Sequence, residues 1–461
     1  MTCRAWAIYF PSPCEEIQFI AQKNKLSINV NCHADYQEFK SNIQFQYDKD
    51  LSFENQNIQI ASFNLLHPGM SKTRYKNFKI MAKIINQWDL VATQELVPIT
   101  GLDLDNNKDV LKNIEEKPEF SKYYRYPGYL NLLLELQSLD PTWTLIMSKK
   151  AEGSIDSDVV EYSGYFYRQK IIKPIVTKYC RLRSKTIQAF GCLPTLNDLN
   201  DPNKQVFSRR PFITSFKYGN KKITLLNSHV VYTAPTNPAQ VTYIEGKLPI
   251  SLPGVNRENF ARLAEVKLTL DFMSYLEKNK LGFSQVYMGD LNLEKKINAW
   301  DILLLNLTNY QIFVEELTSL TASKISNNSE TFGLSQNYDH FIFNPENLKC
   351  INPKAFNFMK ETVIFQDEIQ PFLMFGLSNE EIQSKRTELL KKYIQPLQDG
   401  SKKIMRIKRG KIVEDTITRE KYIQEFERRI IDTQFQDETY YSIYRELISD
   451  HLPIYMNCPT K

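Results

Sequence analysis

Several short segments of this chain end in polar residues that could do chemistry together. Asn64 closes the run Ile58 to Phe63, Glu95 follows Leu90 to Thr93 in Gln94-Glu95, and His229 ends Asn227-Ser228-His229. Later come Asp290 and Asn292 in Gly289-Asp290-Leu291-Asn292, Asp339 in Asn337-Tyr338-Asp339, and Asp450 and His451 in Ser449-Asp450-His451. Carboxylate and amide oxygens are the ligands that suit Mg²⁺, and imidazole is the side chain that moves protons near neutral pH. Only five histidines exist (His33, His67, His229, His340, His451), and two stand in these segments. One carboxylate after an apolar run is usually a turn or cap residue. The set points to a site, because open α/β sheets bind ligands at their strand ends.

The elements that must position these residues are legible in outline. Ile58 to Phe63 alternates like a strand with one buried face, and Leu90 to Thr93 reads as a short buried strand. Between them, Phe78, Met81, Ala82, Ile84 and Ile85 fall at helical spacing within Arg74 to Trp88. A strand, a helix and a strand imply a layered α/β architecture. Further strands are expected at 165–167, 212–216, 223–226, 285–288, 340–343 and 452–455. Arg257 to Lys278 is the clearest helix, with Phe260, Leu263, Val266, Leu270 and Met273 on one core-facing stripe. Residues 1–56 carry no usable motif and read as an N-terminal extension. Two stretches read as insertions: a Pro-rich loop at about 234–256, and a longer segment at about 344–441. In the second, Ser378-Asn379-Glu380-Glu381 has the form of a capping box opening a helix to about Ile394. A basic stretch from Lys402 to Lys411 and a helix from about Arg419 to Ile431 follow.

The chain has 461 residues, 42% hydrophobic and 24% charged, ordinary values for one large elaborated domain or two smaller ones. Mean hydropathy is −0.41, and no apolar run approaches the ~20 residues needed to cross a bilayer. Membrane-spanning and wholly disordered readings are excluded. The net charge of +5 permits an anionic partner without requiring one. The seven cysteines are scattered with no C-x-x-C spacing, so buried thiols in a reducing compartment are expected. Ala5 to Phe10 is shorter than a signal-peptide core. The expected location is cytoplasmic, or exported without a cleaved signal.

In this order, the motifs resemble those of the endonuclease/exonuclease/phosphatase superfamily of metal-dependent phosphoesterases. The matching pieces are Phe63-Asn64, Asp89-Leu90-Val91 to Gln94-Glu95, the His229 strand, Gly289-Asp290-Leu291-Asn292, Tyr338-Asp339 and Ser449-Asp450-His451-Leu452-Pro453. They span about 57–456 apart from the insertions. Glu161-Tyr162-Ser163-Gly164-Tyr165-Phe166-Tyr167-Arg168 is similar to the segment with which pancreatic-type deoxyribonucleases supply a catalytic glutamate, and Phe207-Ser208-Arg209-Arg210-Pro211 to their phosphate-contacting arginine segment. The aromatic-Cys-Asp-Arg signature of inositol polyphosphate 5-phosphatases is absent; Asn337-Tyr338-Asp339 stands there.

The resemblance implies a four-layer α/β sandwich, two packed mixed β-sheets flanked by helices, with a helical insertion near the C-terminus. It implies Mg²⁺, with Mn²⁺ or Ca²⁺ as substitutes, held by Glu95, Asp450 and Asn64. His229 would pair with Glu161 and His451 with Asp339, Asp290 would position or deprotonate water, and Arg209, Asn292 and Asn64 would hold the phosphate. The expected activity is a nuclease cleaving DNA or RNA as a monomer. The alternative is a lipid or small-molecule phosphoesterase, sphingomyelinase-like or phosphoinositide-directed, acting at an anionic membrane.

Overall fold

The computed structural model describes residues 57–68, 76–96, 128–148, 161–182, 190–194, 207–232, 243–244, 255, 259–321, 333–359, 379–408, 411–431, 444–445 and 447–460. The 1–56 extension, Ser378 and most of the Pro-rich loop lie outside the described residues.

In chain order the strands are β1 (Asn57–Asn64), β2 (Leu90–Leu96), β3 (Trp143–Met147), β4 (Tyr162–Arg168), β5 (Lys173–Ile175), β6 (Gly191–Cys192), β7 (Phe212–Tyr218), β8 (Lys221–His229), β9 (Ser284–Asp290), β10 (Gln311–Phe313), β11 (Ser319–Leu320), β12 (Leu334–Gln336), β13 (Asp339–Phe343), β14 (Ile351–Ala355), β15 (Met405–Lys408), β16 (Lys411–Glu414) and β17 (Ile454–Pro459). Helices α1 (Phe78–Ile85), α2 (Gly128–Leu139) and α3 (Lys178–Leu182) precede the long α4 (Phe260–Lys278).

Two mixed sheets result. The first runs β14-β17-β1-β2-β4-β3 and the second β10-β13-β9-β8-β7-β5, with β6 also on β7. Each has one parallel pair, β1 with β2 and β8 with β9, and antiparallel neighbours elsewhere. Parallel pairs need a crossover: α1 and α4 lie between the paired strands in sequence and pack on the outer faces. Three apolar clusters record the layers. α1 and α2 cover the first sheet with Ile84 and Leu133, joined by Trp88, and α4 covers the second with Leu263 and Leu270 against Tyr287 of β9. Ile60, Tyr165, Phe212, Val286 and Ile454 fill the space between the sheets. This is the expected four-layer arrangement.

The topology explains why the polar residues share one edge. Parallel strands end there, and their antiparallel neighbours begin there. His229 pairs in register with Asp290, and Asp290 with Asp339. In the other sheet Asn64 is level with Gln94, Glu161 immediately precedes β4, and Asp450-His451 precedes β17. Polar side chains tie the sheets together beneath that edge. Asn227 donates to the Thr93 and Gly164 carbonyls, and Gln94 donates to Asn227 at 2.6 Å.

Several expectations are corrected. Helix α4 is buried nearly all round, Glu265 and Lys267 included, because the segments around Ser208 and Val231 bond to Glu265. The 344–441 stretch is not uniform: its β14 pairs with β17 in the first sheet. The rest includes helices α7 (Asn379–Leu389) and α9 (Thr416–Ile431) and the β15–β16 hairpin that carries the basic stretch; α5 (Trp300–Leu303), α6 (Pro345–Leu348) and α8 (Gln395–Gln398) are single turns. The thiol expectation fails as well. Cys180, in α3, is bonded to Cys192 in β6, and Cys350 to Cys458 in β17, since the fold brings together cysteines that sequence spacing leaves apart. No helix among the described residues is long and apolar enough to cross a membrane.

Gly289 shows how tightly the parallel pair approaches the site. Its φ is 137°, and a Cβ there would lie 1.9 Å from the Ser228 carbonyl oxygen. Gly289→Ala is expected to cost about 2–4 kcal/mol in urea denaturation. Gly400→Ala, also at positive φ (78°) but where a Cβ meets nothing within 4 Å, should cost only the backbone strain and so less; equal losses would refute the steric account.

Candidate active site

Local backbone geometry aims the first carboxylate. Leu90 and Ala92 face the inter-sheet core while Val91 faces the helices. Strict alternation would send Glu95 to the helical side with Val91. A bulge against β4 between Thr93 and Leu96 breaks the alternation, and Glu95 takes a left-handed φ of 59°. Leu96 then fills the helix-side core and Glu95 turns into the cleft. Asn292 is also left-handed, at φ 50°. Such conformations cost free energy in residues other than glycine and cluster at functional sites.

The cleft encloses about 470 Å³, and Glu95, His229, Asp290, Asn292, Asp450 and His451 line it. His451 Nδ1 lies 2.8 Å from Asp339 Oδ2, and its Nε2 lies 3.4 Å from Asp290 Oδ2. Burial works against the imidazolium, but Asp339 and Asp290 outweigh it and hold His451 well above its ordinary pKa. On the other side, His229 Nδ1 is 2.9 Å from Glu161 Oε2 and its Nε2 is 3.7 Å from Asp290 Oδ2. Burial and Arg209 disfavour the charged form of His229; Glu161 and Glu95 reverse this and raise its pKa. Asp290 therefore sits between two histidines. Burial raises its pKa, which makes it a better proton acceptor than an exposed aspartate.

His67, three residues after Asn64 and outside every motif, enters the site. Its Nε2 is 3.0 Å from both Glu95 and Glu161. Burial disfavours its charge, yet these two carboxylates raise its pKa to about 9. Burial pushes Glu95 up, but His229 and His67 hold it down at about 2. His340 is structural: it is buried, its ring nitrogens face the Leu293 and Phe313 carbonyls, and burial lowers its pKa to about 4.

Asn64 donates through Nδ2 to Glu95 at 2.9 Å and to Asp290 at 3.1 Å, while its Oδ1 accepts from the Leu66 N–H. The Leu66 bond fixes which amide atom is oxygen, so the Asn64 amide N–H₂ orients the two carboxylates. Ser449 fastens Asn64 in turn, donating to its carbonyl at 2.6 Å. Arg209 forks onto Glu161 through Nε and Nη2, leaving Nη1, 3.5 Å from His229 Nε2, as the edge nearest the histidine. Asn292 donates to the Val230 carbonyl, and its backbone N–H donates to Asp290.

The donor set suits a hard divalent cation. Asp450 keeps a buried Oδ1 with no hydrogen-bond partner, and Glu95 lines the same cleft. Among the described residues two groups could each gather around an ion, His67-Glu95-Glu161 and Asp290-Asp339-His451, with donor atoms within 4.8 Å of one another. Only Glu95 is common to these groups and to the ligand set expected from sequence.

No family model matches the chain, and no curated protein matches it in sequence. Solved structures are similar to it at low identity. An endonuclease/exonuclease/phosphatase family protein from Bacteroides thetaiotaomicron is 11% identical, with 88% of this chain and 98% of that one covered and a TM-score of 0.39. A mannosyl-6-phosphatase from the same species is 12% identical over 87% of this chain and 98% of that one, TM-score 0.38. An endonuclease/exonuclease/phosphatase family protein from Leptotrichia buccalis is 15% identical over 66% and 93%, TM-score 0.37.

Behind the cleft, Glu265 fixes two segments at once, accepting from the Ser208 N–H at 2.7 Å and the Val231 N–H at 3.4 Å. Burial raises its pKa from 4.5 to about 7 against the opposing pull of Ser208 and Arg209. Between those values the folded protein holds the extra proton, so this group makes stability fall as pH rises and has no such effect below about pH 4.5. Glu265→Gln is expected to gain on wild type between pH 5 and pH 8 by on the order of 3 kcal/mol. Urea denaturation at both pH values checks this; a pH-independent difference would contradict it.

Proposed function

We propose that this chain is a metal-dependent phosphoesterase of the endonuclease/exonuclease/phosphatase superfamily, hydrolysing phosphodiester bonds of DNA or RNA. One observation carries the reading: two histidine–carboxylate pairs converge on Asp290 from opposite sides, in the cleft that Glu95 and Asp450 supply with carboxylate oxygen. Phosphoryl transfer needs a positioned water, neutralised phosphoryl oxygens and a protonated leaving oxygen, and these groups match those needs.

Mg²⁺, or Mn²⁺ or Ca²⁺ in its place, would be held by Glu95 and Asp450 and would polarise the phosphoryl group as a Lewis acid. The remaining work falls to side chains. Asp290, made more basic by burial, orients the attacking water and accepts its proton. His451, kept protonated by Asp339 and Asp290, donates to a phosphoryl oxygen. His229, oriented by Glu161, delivers a proton from Nε2 towards the leaving oxygen. Arg209 keeps Glu161 in place and turns Nη1 to the phosphate, with Asn292 beside it. Asn64 holds Glu95 and Asp290 at their working separation.

The protein acts as a monomer on a nucleic-acid substrate, which its net positive charge favours. Two disulfides favour export to an oxidising compartment over the cytoplasm. Peptide mapping without reductant is expected to recover Cys180–Cys192 and Cys350–Cys458 from the native protein; free thiols at all four positions would return the protein to a reducing compartment.

The direct test is hydrolysis of supercoiled plasmid, single-stranded RNA, sphingomyelin and a phosphoinositide panel, with Mg²⁺ or EDTA. Nicking or RNA cleavage is expected, abolished by EDTA and lowered about 10²–10⁴-fold in kcat by His451→Ala. Turnover of a lipid or inositol phosphate alone would replace the nucleic-acid substrate and leave the catalytic groups in place.

A further inference from the structure

At the mouth of the cleft stands a tyrosine that the proposed chemistry does not use. Tyr232, three residues beyond His229, is 56% exposed although it lines the cleft. An exposed ring gains little by burial, yet this one is fixed from two sides. The Arg262 guanidinium carbon lies 4.3 Å from its ring centroid, and Tyr338 meets it edge-on with centroids 6.3 Å apart. Arg262 is itself anchored, its Nε donating to the Tyr232 carbonyl at 2.8 Å and its Nη1 to the Asn292 carbonyl at 3.1 Å. The same guanidinium therefore locks the ring to the loop that carries Asn292. Tyr338 precedes Asp339, so the aromatic pair moves with the catalytic edge.

A large planar ring, held in place at low entropic cost, open to solvent and adjacent to a phosphate site, is the arrangement that stacking on a base requires. We propose that Tyr232, backed by Arg262 and flanked by Tyr338, is the stacking platform for the base of the nucleotide whose phosphate occupies the cleft. This rests on the phosphoesterase reading and narrows its substrate class to esters carrying a planar heteroaromatic group. Glycerol, inositol and saturated lipid esters offer no π-face to the ring.

The test reads binding in EDTA, so it does not depend on turnover. Adenosine 5′-monophosphate and ribose 5-phosphate are titrated calorimetrically into wild type, Tyr232→Phe and Tyr232→Ala. Both ligands carry the same phosphate and sugar; only the first has a base. Wild type and Tyr232→Phe are expected to prefer the nucleotide by about 5–100-fold, the range that one stacked base supplies. Tyr232→Ala should erase the preference and leave ribose 5-phosphate affinity unchanged. Because the side chain is mostly exposed, the fold should survive, which circular dichroism confirms. Equal affinities in wild type, a preference retained in Tyr232→Ala, or no measurable binding of either ligand overturns the proposal. Inactivity on every phosphoester would instead remove the phosphoesterase reading, while a base preference that depends on Tyr232 would still stand.

Discussion

Buried charge governs this molecule. Glu95, Glu161, Asp290 and Asp339 crowd into one edge of the sandwich with His67, His229, His451 and Arg209, and all but His67 and Arg209 are at most 8% exposed. An unpaired charge at that depth would cost several kcal/mol, so the groups alternate in sign: Asp339, His451, Asp290, His229, Glu161, Arg209. Neutral donors fill the remaining positions, with Asn64 bridging the carboxylates of Glu95 and Asp290. Such an array tolerates little displacement, because removing any member strands its neighbours. The rest of the architecture can be understood as the frame that holds the array in register.

That frame uses backbone conformation as much as packing. The bulge at Glu95, the left-handed Asn292 and the close approach at Gly289 all lie within the last turn of chain before the cleft. Elsewhere the two sheets are joined by ordinary aromatic packing, such as Tyr165 against Phe212 and Phe216. Conformational cost is thus concentrated where side chains must be aimed, and the apolar layers on either side of each sheet supply the stability that supports it.

Much of this was legible in the sequence. Residues just before or after a strand, as in Gly289-Asp290-Leu291-Asn292 and Ser449-Asp450-His451, announced themselves by following apolar runs, and alternating polarity located most core strands. What escaped was long-range. Nothing local marks Glu265 as the anchor of Ser208 and Val231, since its partners are distant in sequence. His67 stood close to Asn64 but matched no known pattern, and only the left-handed turn at Leu66 and His67 brings its ring back to Glu95. Residue type alone could not reveal that the Asn64 amide N–H₂ faces Glu95 and Asp290. The helix Gly128–Leu139 was missed because its leucines are not confined to one stripe.

The bond between Cys350 and Cys458 has a further consequence. It joins the residue just before β14 to β17, the strand that follows His451, and closes a covalent ring over a sequence separation of 108 residues. The helices and hairpin near the C-terminus all lie inside that ring. A protease that cut the chain once within it would not release the final strand, and the two fragments would travel as one molecule until the bond was reduced. Length and sequence can therefore vary inside the ring while His451, near its far end, stays tethered to the sheet.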